Sequence, residues 1–578
     1  MRRGLPHSRV RGCEAGSVPP WSRKEGDAPS LYTTDVCDRC IYPATSDGPL
    51  RAEHLRLRCI RMPSSGLQQL AGDVSAYLIL LIFVSTLGPL QFGFHLAELN
   101  APQDVISCRL KKAVSSRLYA SLSSLISSSN SDVATTSSAL PDCIPMNDAQ
   151  YAVVSSMFTL GGLLGALTSG PLASARGRLL AMRLTSLFYI VGSVIETLAG
   201  SIAVMSIGRV LTGVGAGAAT VIVPLYISEV APPAERGMFG AMTQVSICVG
   251  IVLTQTLGYF LSYGSAWRWI LGAGVIIAGL QLFGSLFVPE SPSWLAAHRS
   301  VTQAKRTLQR IRGRDYDISE EVSAWGPDLG IQEEQEALLG DSSSRGTAGG
   351  NKPSGGKTDR NLGFFEVVRD PLYRPAILAC VGVMVSQQLC GINSIVMYSV
   401  SLLRDLLPIS SALLTIVVSA INLITTLACS PLPDKLGRKT CLLTSIVGQG
   451  SSSLGLALSI MFGAKILSAI MVLLFVAFFA VGLGPVPFIL ASELVGQEAV
   501  GATQSWCLGA SYVATFLVAQ FFPIVNVALN ERLGGAGWVY FIFAALAALC
   551  GLFVLWRVPE SKGKRDADEV WGRTRRID

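Results

Sequence analysis

Apolar residues in this 578-residue chain are gathered into twelve stretches of about twenty, the length a helix needs to cross the hydrocarbon core of a bilayer. They cover Tyr77–Leu99, Gln150–Leu172, Ala181–Ile202, Met205–Ile227, Met238–Phe260, Trp267–Val288, Pro375–Ser399, Ser411–Pro431, Cys441–Met461, Ile466–Ala491, Ala502–Pro523 and Trp538–Trp556. A buried helix of a soluble protein can also be apolar all round, but twelve in series with so few charges predict membrane spans. Gly213, Gly215, Gly217 and Pro224 in the fourth fit this reading, because small residues let membrane helices approach closely. The expected fold is an all-α integral membrane protein.

The polar stretches divide the chain. Residues 1–70 form an Arg-rich tail without the apolar core of a signal peptide, read as a disordered tail, a weak targeting segment or an extension upstream of Met62. Residues 71–288 hold the first six spans, with a Ser-rich loop at 100–149. Residues 289–373 form a connecting segment in which Val301–Ile311 has amphipathic spacing and Gly340–Thr358 is Gly/Ser-rich linker. Residues 374–556 hold the last six spans, and 557–578 a second tail. The connection after the second span carries Arg176, Arg178 and Arg183 with no acid, whereas the 100–149 loop balances four basic residues against four acids. That bias places both termini in the cytoplasm. Cys108 and Cys143 flank the loop and are able to pair if it faces an oxidising compartment. Cys37-x-x-Cys40 lacks the second pair a zinc site needs.

Composition narrows the function. Half of the residues are apolar and 15% are charged, against roughly 25% in soluble domains, and the mean hydropathy is +0.47. A soluble enzyme is excluded, and no H-E-x-x-H, G-x-S-x-G or phosphate-binding loop marks a membrane enzyme. The net charge of +7 belongs to cytoplasmic loops and implies no nucleic-acid partner.

Three polar motifs recur in order. Gly177-Arg178 returns as Gly437-Arg438 after 260 residues, Ser228-Glu229 as Ser492-Glu493 after 264, and Pro289-Glu290-Ser291 as Pro559-Glu560-Ser561 after 270. The repeat predicts two six-helix halves with a substrate cavity between them at the membrane midplane. Arg178, Glu229, Arg236, Arg438 and Glu493 are the candidate gate residues, expected to pair at the helix ends and hold the halves closed on the cytoplasmic side.

The strings GRLLAMR, GRVLTGVGAG, VPLYISEVAPPAERG, PESPSWL, QQLCGINSIVMYS, LPDKLGRK, GLGPVPFILASEL and PESKGK resemble the sugar porter family of the major facilitator superfamily from about residue 85 to 564. LQFGFHLAELNAPQ is most similar to the facilitative glucose transporter branch. The resemblance implies a major facilitator fold and alternating-access transport without a cofactor. It assigns sugar binding to Gln244, Gln387, Gln388, Asn393 and Asn422, with Phe488 where glucose transporters usually carry Trp. It also implies an outer-gate aromatic at Tyr398 and a flexible break at Gly484, Pro485 and Pro487. The chain departs from the glucose-transporter pattern at Ser511-Tyr512, Ala480 and Val500.

Charge placement supports a neutral solute independently. Ionisable groups within a bilayer mark ion paths or charged substrates, and the spans carry few besides Glu98, Glu196 and Arg209. The five amides donate and accept hydrogen bonds, as sugar hydroxyls do. Coupling turns on His95, where the resemblance gives Asp in proton-coupled porters and Asn in facilitators. Glu98 follows on the same helical face, making His95 and Glu98 a candidate proton relay. The expected function is facilitated diffusion of a neutral monosaccharide, a hexose such as glucose. The alternatives are a proton-coupled sugar or polyol symporter and a non-transporting sugar receptor. The expected partners are the monosaccharide and membrane lipid, the working unit a monomer, the location plasma or vacuolar membrane, and no metal or cofactor is required.

Overall fold

A computed structural model describes residues 75–109, 140–313, 316–323, 325, 364–403, 411–564 and 567–573. The first tail, the Ser-rich stretch, Cys37, Cys40 and the Gly/Ser-rich linker lie outside them. Among the described residues, eleven helices are long and apolar enough to span a bilayer, and a bent pair makes a twelfth. In chain order they are α1 (Ala76–Ala97), α2 (Asp148–Arg176), α3 (Arg178–Thr197), α4 (Ile202–Val230), α5 (Arg236–Leu261), α6 (Trp267–Gly284), α7a (Arg374–Leu389) with α7b (Ile392–Leu403), α8 (Ser411–Cys429), α9 (Arg438–Met461), α10a (Lys465–Val481) with α10b (Val486–Glu493), α11 (Gln497–Leu533) and α12 (Trp538–Arg557).

Local chemistry sets several ends. Ser75 accepts from Leu78 N to cap α1, and Asn147 and Gln150 cap α2 reciprocally. The α7 break falls at Gly391, whose φ of +96° only glycine adopts readily, and the halves of the pair meet at 43°. The expected eleventh span stopped at Pro523, but α11 runs on to Leu533. A proline removes one N–H without obliging the helix to end there, since neighbouring helices and local adjustment can re-satisfy the freed backbone group. The amphipathic segment folds as a helix over Val301–Arg312, burying Val301, Ala304, Leu308 and Ile311.

Packing follows the small residues. A Cβ on Gly161 would lie 2.0 Å from Val210 O and one on Gly217 1.9 Å from Gly162 O. Backbone therefore lies against backbone where α2 meets α4. Helices α1–α6 pack on one another, as do α7–α12, and the two sets meet where α2 crosses α11 and α5 crosses α8. Polarity is inverted relative to a soluble protein. Ile79, Phe83, Phe260, Ile276 and Trp556 are exposed, while Gln91, Gln244, Gln255, Gln387 and Gln449 are buried. Apolar surface on this scale requires lipid around it.

Cys108 and Cys143 form a disulfide. Beside it Ile144 N donates to Ile106 O at 2.8 Å, and Arg109 pairs with Asp148 at the start of α2. A cross-link closing a segment of this length stabilises by about 3–4 kcal/mol on loop entropy. Cys108→Ser should therefore lower the melting temperature of the detergent-solubilised protein by several degrees under non-reducing conditions, as differential scanning fluorimetry would show. An unchanged melting point would mean that the segment is held by its other contacts.

Candidate functional site

Between the two sets of helices lies a cavity with about 70 Å³ open to the centre of a water molecule, against the roughly 10–15 Å³ that one water occupies by the same measure. Its lining includes Gln244 of α5, Gln387 and Gln388 of α7a, Asn393 of α7b, Asn422 of α8 and Phe488 of α10b. All six sequence-predicted binding residues thus meet at one place. Ser511 and Tyr512 of α11, which the sequence singled out only as departures, join them, as does Thr515, which it did not single out. Among the described residues, no charged side chain is in the lining.

The α7 break explains how three of these amides converge. Five residues apart on a straight helix, Gln388 and Asn393 would diverge. With the turn at Gly391, Asn393 Nδ2 donates to Gln388 Oε1 at 2.6 Å. Gln388 Nε2 donates to Gln387 Oε1 and to Ser511 Oγ, both at 2.9 Å, and Gln387 Nε2 donates to Leu483 O in the α10 break at 2.5 Å. On the other side Gln244 Nε2 donates to Cys248 Sγ at 3.6 Å. Phe92 stacks on Phe158 and meets Tyr512 edge-on, so aromatic faces and amides share the wall. Such a wall can hold a small ligand with an apolar ring face and hydroxyls at its edge.

The other predicted residues frame the cavity. Tyr398 is buried on the side that carries the disulfide. Its hydroxyl donates to Ala519 O at 2.7 Å, and its ring meets Phe522 and, from the other set of helices, Tyr151. Gly484 N donates to Phe479 O at 2.9 Å. Pro485 precedes the first residue of α10b and Pro487 is its second residue, so the tenth span is broken at this predicted position.

At the opposite face the repeat is realised atom by atom. Arg178 Nε and Nη2 donate to Glu229 at 3.0 and 2.7 Å, while Arg438 donates to Glu493 at 3.1 and 2.7 Å. Glu290 accepts from Arg178 N at 2.9 Å, and Glu560 from Arg438 N at 2.8 Å, each carboxylate capping a helix start. Gly177 and Gly437 have φ of +99° and +101°, and a Cβ at either would meet the capping carboxylate at 2.4 or 2.5 Å. Glu290 and Glu560 were legible as repeated motifs but were not assigned to the gate. Each Arg–Glu pair closes within its own set of helices. The expected latch between halves is thus two braces, each internal to one set of helices. Arg236 opens α5, and its side chain lies outside the described residues.

His95 and Glu98 belong to a separate buried cluster beside the cavity. His95 Nδ1 lies 2.9 Å from Glu98 Oε2, and Arg209 Nη1 donates to Glu98 Oε1 at 2.5 Å and to His95 O at 2.7 Å. Glu196 accepts from Thr212 Oγ1 at 2.7 Å. One ligand atom each from His95, Glu98 and Glu196 lies within 4.8 Å of the other two. Sequence reasoning noted the acid at Glu196 and gave it no role, because nothing in the order of residues brings α3 to α1. The trio has the donor types of a metal site, but the Arg209 guanidinium already holds Glu98.

A twelve-helix bundle around a central cavity defines a polytopic membrane transporter of the major facilitator fold. The family model for sugar (and other) transporters matches residues 81–569, and the chain belongs to this family. It is 34% identical to a probable metabolite transport protein of Saccharomyces cerevisiae over 88% of this chain and 98% of that one. It is 29% identical to the facilitated glucose transporter member 3 of Rattus norvegicus over 86% and 92%. Among solved structures it resembles the proton:xylose symporter XylE bound to 6-bromo-6-deoxy-D-glucose, with a TM-score of 0.65 and 22% identity over 86% of this chain and 99% of that one.

Proposed function

We propose that the protein carries a neutral hexose such as glucose down its gradient by alternating access. Gln244, Gln387, Gln388, Asn393, Asn422 and Phe488 hold the sugar. Tyr398 and the breaks at Gly391 and Gly484–Pro487 move as the two halves rock. The observation that carries this reading is the cavity wall, built of amides, hydroxyls and aromatic faces without a charged side chain. A charged substrate would leave its charge unpaired there, whereas a ring of hydroxyls finds donors and acceptors. Glucose transporters among the relatives support the choice of hexose. The carrier works as a monomer, with both ends cytoplasmic, in the plasma or vacuolar membrane. No cofactor is needed, because the solute gradient supplies the free energy.

The buried cluster favours a second reading, proton-coupled transport. Two carboxylates and an imidazole lie together, and the Arg209 guanidinium pairs with Glu98, so the second carboxylate, Glu196, is left without a cation unless a proton joins it. Leu96 lines the cavity directly beside His95 on α1, which gives the two sites a physical link.

Uptake of radiolabelled hexoses, pentoses, polyols and myo-inositol into proteoliposomes, with and without a pH gradient, decides between the readings. For the uniporter, uptake of a hexose should stop at equal concentrations, and both the pH gradient and His95→Asn should leave it unaltered. Accumulation above equilibrium that vanishes when the gradient is collapsed would establish coupling instead. Binding without uptake of any panel member would make the protein a receptor.

A further inference from the structure

Three arginines gather on the outside of the first set of helices, at the end that carries the Arg178–Glu229 brace. Arg183 lies five residues beyond Arg178 on α3. Its Nη2 donates to Ser285 O at 3.1 Å, just past the end of α6, and its Nε has no acceptor among the described residues. Two residues on, Phe287 O accepts from the Tyr77 hydroxyl of α1 at 3.2 Å, and the Arg310 guanidinium lies 4.6 Å from the centre of the Tyr77 ring. Arg183 and Arg310 therefore flank one turn, Ser285–Phe287, from the α3 side and the α1 side. Arg306 stands one helical turn before Arg310, and both are exposed. Among the described residues none of the three forms an ion pair, whereas Arg178, Arg209, Arg312 and Arg438 each do.

These cations are held in place above an apolar surface. The Val301–Arg312 helix is docked, with Ser75 Oγ donating to Ile311 O and Arg312 Nη1 to Val230 O, both at 2.6 Å. A guanidinium resting on a ring face, as Arg310 does, keeps its full charge for another partner. Leu286, between the two accepting carbonyls, is 63% exposed, and Ile79, Phe83, Phe283 and Phe287 are exposed around it on α1, α6 and the turn. In a bilayer such side chains meet acyl chains, which puts the guanidiniums at the level of the headgroups. Arginine is common at this level of a cytoplasmic face. Two that are already positioned by Ser285 and Tyr77 lose little freedom on taking up a phosphate.

We infer that Arg183, Arg306 and Arg310 bind the headgroup of an anionic phospholipid whose acyl chains run along α1 and α6. Guanidinium forks match phosphate oxygens, and the exposed turn offers an apolar contact that only a lipid can use. The lipid belongs to the leaflet on the braced face, the cytoplasmic one in the proposed orientation, where anionic lipids gather basic side chains. Once bound, it ties the Val301–Arg312 helix to the ends of α1, α3 and α6.

The test titrates the purified full chain in detergent with dioleoyl phosphatidylserine or dioleoyl phosphatidylcholine and reads the retained lipid by native mass spectrometry. Wild type should prefer phosphatidylserine by about a hundredfold, the effect of three cations at one net negative headgroup. In Arg183→Gln with Arg310→Gln the preference should fall to about fivefold, the share of the one cation left. Should that variant fail to fold, Arg306→Gln, at an exposed position, is read the same way and should fall to about twentyfold. Arg369→Gln, an exposed arginine before α7a, should leave the preference unchanged. Equal retention of the two lipids by wild type would overturn the inference, as would an unchanged preference in the variants. An equal fall in Arg369→Gln would also overturn it, making the attraction a property of the whole face. Displacement of phosphatidylserine by inorganic phosphate at equal concentration would refute the lipid as occupant and leave a site for free phosphate.

Discussion

Gln388→Ala is expected to lower kcat/KM for sugar uptake by about a hundredfold while the protein still folds. The magnitude follows from the position of the side chain. Gln388 donates to Gln387 and Ser511 and accepts from Asn393, so it sets the orientation of the neighbouring amides as well as its own. Truncation removes its contacts to the ligand and frees Asn393 and Gln387 to turn, a loss of two to three hydrogen bonds at about 1 kcal/mol each. Every 1.4 kcal/mol is tenfold. The fold should survive, because the removed group faces a cavity that water can fill. Size-exclusion profiles and melting temperatures in detergent check folding, and radiolabelled uptake checks function. Unchanged uptake would refute the assignment of Gln388 to the sugar.

How much of this site the sequence displays depends on how local the information is. Gln387, Gln388, Gly391 and Asn393 fall within seven residues, so the cluster and its break are visible in the order of residues. The breaks at Gly391 and before Pro485 follow from backbone chemistry that any reader of the chain can apply. Helix ends are less legible: Pro523 looks like a stop, yet α11 passes through it. The repeat spacing showed that Gly177-Arg178 and Gly437-Arg438 are equivalent. It could not show that each Arg closes on a Glu of its own half, since that depends on how the helices are arranged. The pairing of Cys108 and Cys143 was likewise open, because spacing alone does not bring two thiols together.

The buried cluster of α1, α3 and α4 is the largest departure from what one dimension reveals, and it yields the strongest prediction for stability. Arg209→Met should destabilise the carrier by about 3–5 kcal/mol, the usual result of removing one partner from a buried ion pair. Arg209 is 1% exposed and its guanidinium lies 4.6 Å from the centre of the Phe158 ring, so methionine can fill much of the volume but supplies no charge. Glu98 then loses its cation and His95 O its donor. Melting temperature and folded yield should both fall. Adding Glu98→Gln should restore most of the loss, because the double variant replaces a charge pair by neutral groups in one step. A double-mutant cycle on the melting free energies should show a coupling of at least about 3 kcal/mol, the penalty for one unpaired buried partner. Independent, additive losses would mean that the two groups do not act as a pair. The same double variant also bears on mechanism. A uniporter needs only that the cluster be neutral, so Glu98→Gln with Arg209→Met should still equilibrate sugar across the membrane. A carrier that stores its coupling proton on Glu98 would keep exchange of sugar but lose accumulation against a gradient, because no ionisable group would remain at that position to carry the proton.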